Sequence, residues 1–244
     1  ETAKAIFKSW FIDFDPVKAK TEGRPTGLSQ EINDLFPDSF EDSELVEIPK
    51  GWRKGILNDI VLRSKEKIGN IESKVLSAVT TGELVLSEEY FSKKVYSKNT
   101  SKYLKVSKHE FAYNPSRINI GSIGMNKKDY IGAVSPIYIV FKSNEYFHWF
   151  IEKFLQLKST KNIINILSTG SVRQTLSFEN FSSISCVIPD KKVMKKFNNL
   201  YDRIIAVILN KQKEIEILTN IRDTLLPKLI SGELRIKDAE KLIE

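Results

Sequence analysis

The chain has one cysteine, two histidines and two methionines in 244 residues. A lone thiol, Cys186, excludes an intramolecular disulfide and any zinc site built on paired cysteines. It stands between Ser185 and Val187 in an apolar run, the setting of a buried small residue. His109 and His148 are far apart in the chain and share no ligand-like spacing with it, so no metal site is expected. No stretch approaches the roughly 20 uninterrupted apolar residues of a membrane span, and the N-terminus lacks the hydrophobic block of a secretory signal. A cytoplasmic location is the expectation. The first residue is Glu1, inside what reads as a helix, which suits a continued or trimmed chain.

What the chain does have is positive charge, 38 Lys+Arg against 31 Asp+Glu for a formal +7, a balance that favours a polyanionic partner without establishing one. The length allows one sizeable core with an appended element, or two small domains. Phe7, Trp10, Phe11 and Phe14 recur at helical spacing and make one strongly apolar face, which Asp15-Pro16 is expected to end. Residues 21–44 begin polar, with Gly23, Pro25 and Gly27, and read as a linker or an ordinary surface loop. Pro49 and Gly51 then mark a turn, and Trp52 is an anchor onto a core.

Beyond Trp52 the pattern is mixed. Residues 75–79, 84–86 and above all 133–141 are rich in β-branched and aromatic side chains and read as strands. Phe147, Phe150, Ile151, Phe154 and Leu155 then return to helical spacing, and 182–189 reads as a last strand. From Lys191 a long amphipathic helix carries Phe197, Leu200, Ile204, Val207, Lys211, Glu214, Leu218, Ile221 and Leu225 in steps of three and four. Such a seam suits a coiled-coil partner, or a helical hairpin within the chain's own core. The fold class is therefore α+β: a mixed, β-rich domain followed by a long helix able to form a coiled coil, about thirty residues of which span on the order of 50 Å.

Both ends of the chain resemble one known family. The phrase Arg222-Asp223-Thr224-Leu225-Leu226-Pro227-Lys228-Leu229-Ile230-Ser231-Gly232-Glu233-Leu234 resembles the distal repeat of the DNA-specificity subunits of Type I restriction-modification systems. The stretch Ala5-Ile6-Phe7-Lys8-Ser9-Trp10-Phe11-Ile12-Asp13-Phe14-Asp15-Pro16-Val17-Lys18-Ala19-Lys20 is similar to the end of the central repeat of that family. Leu35 to Phe40 and Glu47 to Trp52 look like the phrases that open its target-recognition domains. The resemblance divides the chain into the end of a central-repeat helix (1–20), a linker (21–44), a target-recognition domain (45–190) and a distal-repeat helix with its tail (191–244). It implies that the chain, whole or as a half subunit, reads one half of a bipartite target in double-stranded DNA. It also implies docking to a modification (methyltransferase) subunit and a restriction subunit, and allows a homodimer through the long helix. A full subunit of this family carries two recognition domains, so either another half is missing or two copies pair.

The systems it resembles methylate adenine and cleave DNA, yet neither activity is encoded recognisably. Asn114-Pro115-Ser116-Arg117 lacks the second proline and the aromatic of an adenine-methyltransferase loop, and no glycine-rich turn follows a strand as a cofactor-binding domain requires. Pro189-Asp190 lacks the second acid that a magnesium-dependent nuclease needs. No catalytic residue, cofactor or metal is expected.

Reading DNA needs cations for phosphates and donor-acceptor side chains for base edges. Lys93, Lys94, Tyr96, Lys98, Asn99, Lys102 and Tyr103 form the densest interleaving of basic, amide and aromatic residues, although a solvated loop has the same composition. Arg63, Lys65 and Lys67 make a second patch, and Arg117 and Asn119 belong to a third segment. The stretch from Ser168 to Phe181 resembles a small-residue loop of the family. In it Gly170 and Ser171 permit close backbone approach, while Arg173 and Gln174 suit bidentate contacts to guanine and adenine. Arg173 ranks first among single residues; Leu176, Phe178 and Phe181 read as core. The helix seam available to a partner is Phe197, Leu200, Ile204, Val207, Leu218, Ile221 and Leu225. The rival function is a helical assembly protein whose basic surface only keeps it in solution.

Overall fold

A computed structural model describes residues 2–43, 46–93, 95–168, 170 and 174–233. Two compact units divide at Asn198/Asn199. The first begins with α1 (Thr2–Phe11) and α2 (Asp15–Thr21). Asp15-Pro16 opens α2 instead of merely ending the helix before it, because a proline in the first helical turn gives up an N–H that has no partner there anyway. The break falls at Phe14, which sits in the left-handed region at φ 54. The segment expected to be a linker carries α3 (Gln30–Asn33) and is fastened: Lys20 Nζ donates to the carbonyls of Asn33 (3.0 Å) and Phe36 (2.6 Å).

The first unit continues through β1 (Phe40–Ser43), β2 (Val46–Pro49), β3 (Arg53–Ile56), β4 (Val61–Ser64), β5 (Lys74–Val79), β6 (Glu83–Leu86), α4 (Ser87–Tyr90), β7 (Leu104–Val106), β8 (Phe111–Tyr113), β9 (Ile123–Met125), β10 (Gly132–Val134), β11 (Ile139–Ser143), α5 (His148–Gln156), α6 (Lys158–Leu167), α7 (Phe178–Ser182) and β12 (Ser185–Ile188). The last helix, α8 (Lys191–Ile230), begins in the first unit and forms the described part of the second; its 40 residues make a rod of about 60 Å. The fold is α+β.

Two four-stranded sheets, ordered β6-β5-β10-β7 and β4-β11-β8-β9, hold the centre of the first unit. Leu76, Val106 and Val134 from one and Ala112 and Val140 from the other form a single buried cluster, so the sheets share a core. They approach closely because of two glycines. A Cβ on Gly124 would lie 2.5 Å from backbone atoms of Glu83 and Leu84, and one on Gly121 2.5 Å from the Thr80 carbonyl; Gly121 is also left-handed, at φ +94.

The run 133–141, expected as one strand, is two. Pro136 has no N–H for a ladder, and Tyr138 N–H donates to the Ser135 carbonyl at 2.9 Å, closing a turn that passes the chain from β10 in one sheet to β11 in the other. Strands expected over 75–79 and 84–86 are β5 and β6, and the last strand is β12, paired antiparallel with β3.

Aromatic rings build the rest of the core. Phe11 meets Phe197 at 4.9 Å and Phe150 at 5.4 Å between ring centres, both edge-on, while Trp10 meets Phe36 at 5.1 Å and Trp52 lies 5.9 Å from Phe11. Phe111 stacks on Phe141, which packs on Phe181 of α7. Cys186 is buried as expected, and burial pushes its thiol up to about 12. No helix among the described residues is long and apolar enough to cross a membrane.

Candidate nucleic-acid interface

The loop after β8 is the hub of the candidate surface. Asn114 Oδ1 accepts the Ser116 N–H (3.0 Å) and its carbonyl accepts the Arg117 N–H (3.0 Å), a compact turn that leaves the Arg117 side chain exposed. The segment from Gln174 to Phe178 is strapped along this loop. Gln174 Oε1 accepts from Asn119 Nδ2 at 3.2 Å, Leu176 N–H donates to the Pro115 carbonyl at 3.0 Å, and the Leu176 carbonyl accepts the buried Tyr113 hydroxyl at 3.3 Å. Two residues further on, the Phe178 ring lies 5.8 Å from the Arg63 guanidinium. Arg63, Arg117, Asn119 and Gln174, drawn from three distant parts of the chain, thus belong to one connected surface.

The first two basic residues of the second patch face α7. The Glu179 carboxyl is held below the usual range chiefly by backbone N–H at the start of α7 and by the Ser177 hydroxyl, with Arg63 and Lys65 adding to it. Lys67 is exposed and pairs with Leu104 in an isolated bridge beside the Lys105–Glu66 ion pair of 2.8 Å.

On the other side of Arg117 lies a groove of about 310 Å³, lined among others by Phe91, Val95, Tyr96, Arg117, Ile137 and Tyr138. This brings the 93–103 loop against the Asn114–Arg117 turn. Lys93, Lys98, Asn99 and Lys102 are exposed, with Asn99 Oδ1 capping the Ser101 N–H at 2.9 Å. Tyr103 is different: its ring is buried with Ile68 and Ala133, its hydroxyl accepts the Ser97 N–H at 3.1 Å, and it belongs to the lining of the same groove. Gly170 is exposed with φ 127, a backbone suited to glycine. Lys94, Ser171 and Arg173 lie outside the described residues. Of the helix seam, Phe197 is buried, Leu200, Ile204 and Leu225 are half-buried, and Val207, Leu218 and Ile221 are exposed.

The sequence missed the Ser135–Tyr138 turn, whose Ile137 is 63% exposed at the lip of the groove. Its signal was Pro136, in the second position of a turn opened by serine. The sequence also separated His109 from His148, whereas the fold stacks the two rings 3.9 Å apart at 9°, with Asn198 Nδ2 3.3 Å from His148 Nε2.

No protein-family model matches the chain. Curated proteins do. A Type I restriction enzyme specificity subunit (MjaIX) of Methanocaldococcus jannaschii is 26% identical over 97% of this chain and 53% of its own length. A second, the HindI specificity subunit of Haemophilus influenzae, is 26% identical over 96% of this chain and 61% of its own. The curated relatives of this chain are Type I specificity subunits. The chain spans between half and two thirds of their length. Among solved structures, the S subunit of a Type I restriction-modification system from M. genitalium aligns with a TM-score of 0.46 at 14% identity, over 76% of this chain and 48% of that one. The HsdS subunit from Thermoanaerobacter tengcongensis aligns with a TM-score of 0.40 at 10% identity, over 96% and 57%.

Proposed function

We propose that the chain is a non-catalytic DNA-reading subunit, or half of one, of a Type I restriction-modification complex. The observation that carries this reading is the meeting of Arg63, Arg117, Asn119 and Gln174 on one connected surface, in a chain of net charge +7 with specificity subunits as relatives. Cations there hold phosphates, and the guanidinium and amide groups supply the paired donors and acceptors that distinguish base pairs in the major groove. In this reading residues 45–190 recognise one half of a bipartite target. The 1–20 segment and α8 act as the spacer toward a second recognition domain, contributed by another half or by a second copy paired through Val207, Leu218 and Ile221.

A modification subunit would dock on this frame and methylate adenine; a restriction subunit would add cleavage. The chain itself would take no cofactor and would work in the cytoplasm, where the chromosome is accessible. The test is to co-express it with its modification subunit in a methylation-free host and map methylated adenines. An inverted-repeat motif is the outcome for a paired half subunit, and an asymmetric bipartite motif that for a chain joined to another recognition domain. An assembled complex that leaves adenine unmodified means that a second recognition domain is missing, and if supplying one still leaves adenine unmodified, the reading falls in favour of a helical assembly role. Arg173→Ala should relax selectivity at one base pair of that motif.

A further inference from the structure

Three of the exposed large apolar side chains of the first unit gather at one place. Phe91 (36% exposed) and Val95 (55%) from the loop after α4, and Ile137 (63%) from the turn between β10 and β11, all line the groove beside Arg117. Scattered exposed apolar residues need no explanation, but three around one recess mark a surface that is covered in use. The polar part of the recess is equally specific. The Tyr138 hydroxyl accepts the Ala78 N–H at 3.4 Å, Ser77 and Ser87 share a hydroxyl bond of 2.8 Å, and Asn114 and Arg117 form one wall.

The lip is also firmly placed. Ile137 rides a four-residue turn closed by the Tyr138 to Ser135 hydrogen bond, stiffened by Pro136 and anchored in a different sheet at each end. An apolar tip held beside a guanidinium matches one feature of duplex DNA. In the major groove a thymine presents a C5 methyl, and a guanine nearby presents the two acceptors that arginine binds. The exposed Lys93, Lys98 and Lys102 of the adjoining loop supply the charge complementarity to phosphates that an apolar peptide would not use.

We propose that this groove reads an A·T pair through its thymine methyl, with Ile137 as the contacting side chain and Arg117 fixing the register on the neighbouring pair. The proposal rests on the DNA-reading function above and adds to it a named contact and a base.

The test uses the full chain in complex with its modification subunit, and duplexes carrying the motif found by methylation mapping, with each thymine replaced in turn by uracil. Uracil pairs identically and lacks only the methyl. One replacement is expected to weaken binding about fourfold, the value of one buried methyl. In Ile137→Ala the same replacement is expected to change nothing, while its thermal melting stays that of the parent. Indifference to every uracil, or an equal loss in parent and Ile137→Ala, overturns the proposal and leaves the DNA-reading function standing. If no duplex is bound selectively, both fall together.

Discussion

The two ends of α8 have similar apolar composition and opposite fates. Val193, Met194 and Phe197 are fully buried within the first unit, whereas Val207, Leu218 and Ile230 in the second are 60%, 57% and 77% exposed. Helical periodicity therefore announces a face without saying what covers it. The covered end belongs to the aromatic cluster of α1 and α5; the exposed end has the side chains of an interface and, in this chain alone, the surroundings of a solvated helix.

Substitutions can break that comparison. Phe197→Ala should cost about 3–5 kcal/mol through a cavity beneath α1, read as a lower urea midpoint. Lys127→Met tests a buried charge on α5. Glu152 is buried and held by Lys127 Nζ at 2.5 Å and Lys153 Nζ at 3.0 Å, and removing one ammonium should cost roughly 3 kcal/mol in the same assay.

On the open groove the effects should fall on binding and spare folding. Arg117→Ala is expected to lose about 1–3 kcal/mol of discrimination at one base pair. Lys98→Ala should weaken all sequences alike and lower the salt slope by about 1, measured by titration at several ionic strengths. Smallest of all, Val207→Ala should shift the melting of the isolated chain by less than about 0.5 kcal/mol. If Val207→Ala costs as much as Phe197→Ala, the exposed end is covered after all and the contrast fails. The thiol sharpens the covered side further: with Cys186 raised to about 12 by burial, iodoacetamide at pH 8 should label the chain only after denaturation.

Much of the fold was legible because regular elements carry a period. β5, β6, α5 and the start of α8 follow from alternation or from steps of three and four. Two misreadings share a cause, since proline has more than one meaning. At Pro16 it opens a helix that sequence reasoning had closed, and at Pro136 it turns a corner inside what looked like uninterrupted strand. The candidate surface was only partly legible. Asn119 and Gln174 were selected for their side-chain chemistry, and nothing in a sequence says that two loops will be tied by one amide hydrogen bond. Composition selected Tyr103 without showing its burial, because a tyrosine among lysines looks the same whether its ring faces water or the core.

The contact between Phe7 and Phe197 sets a schedule as well as a structure. Their rings lie 6.2 Å apart, yet almost the whole first unit separates them along the chain. At ordinary synthesis rates of about 5–20 residues per second, the apolar face of α1 waits roughly 10–40 s before Phe197, the last of the rings that cover it, leaves the ribosome. During that interval the face of α1 is only partly covered, by Phe36, Trp52 and later Phe150, so the newborn chain should lean on chaperones more than the finished protein does.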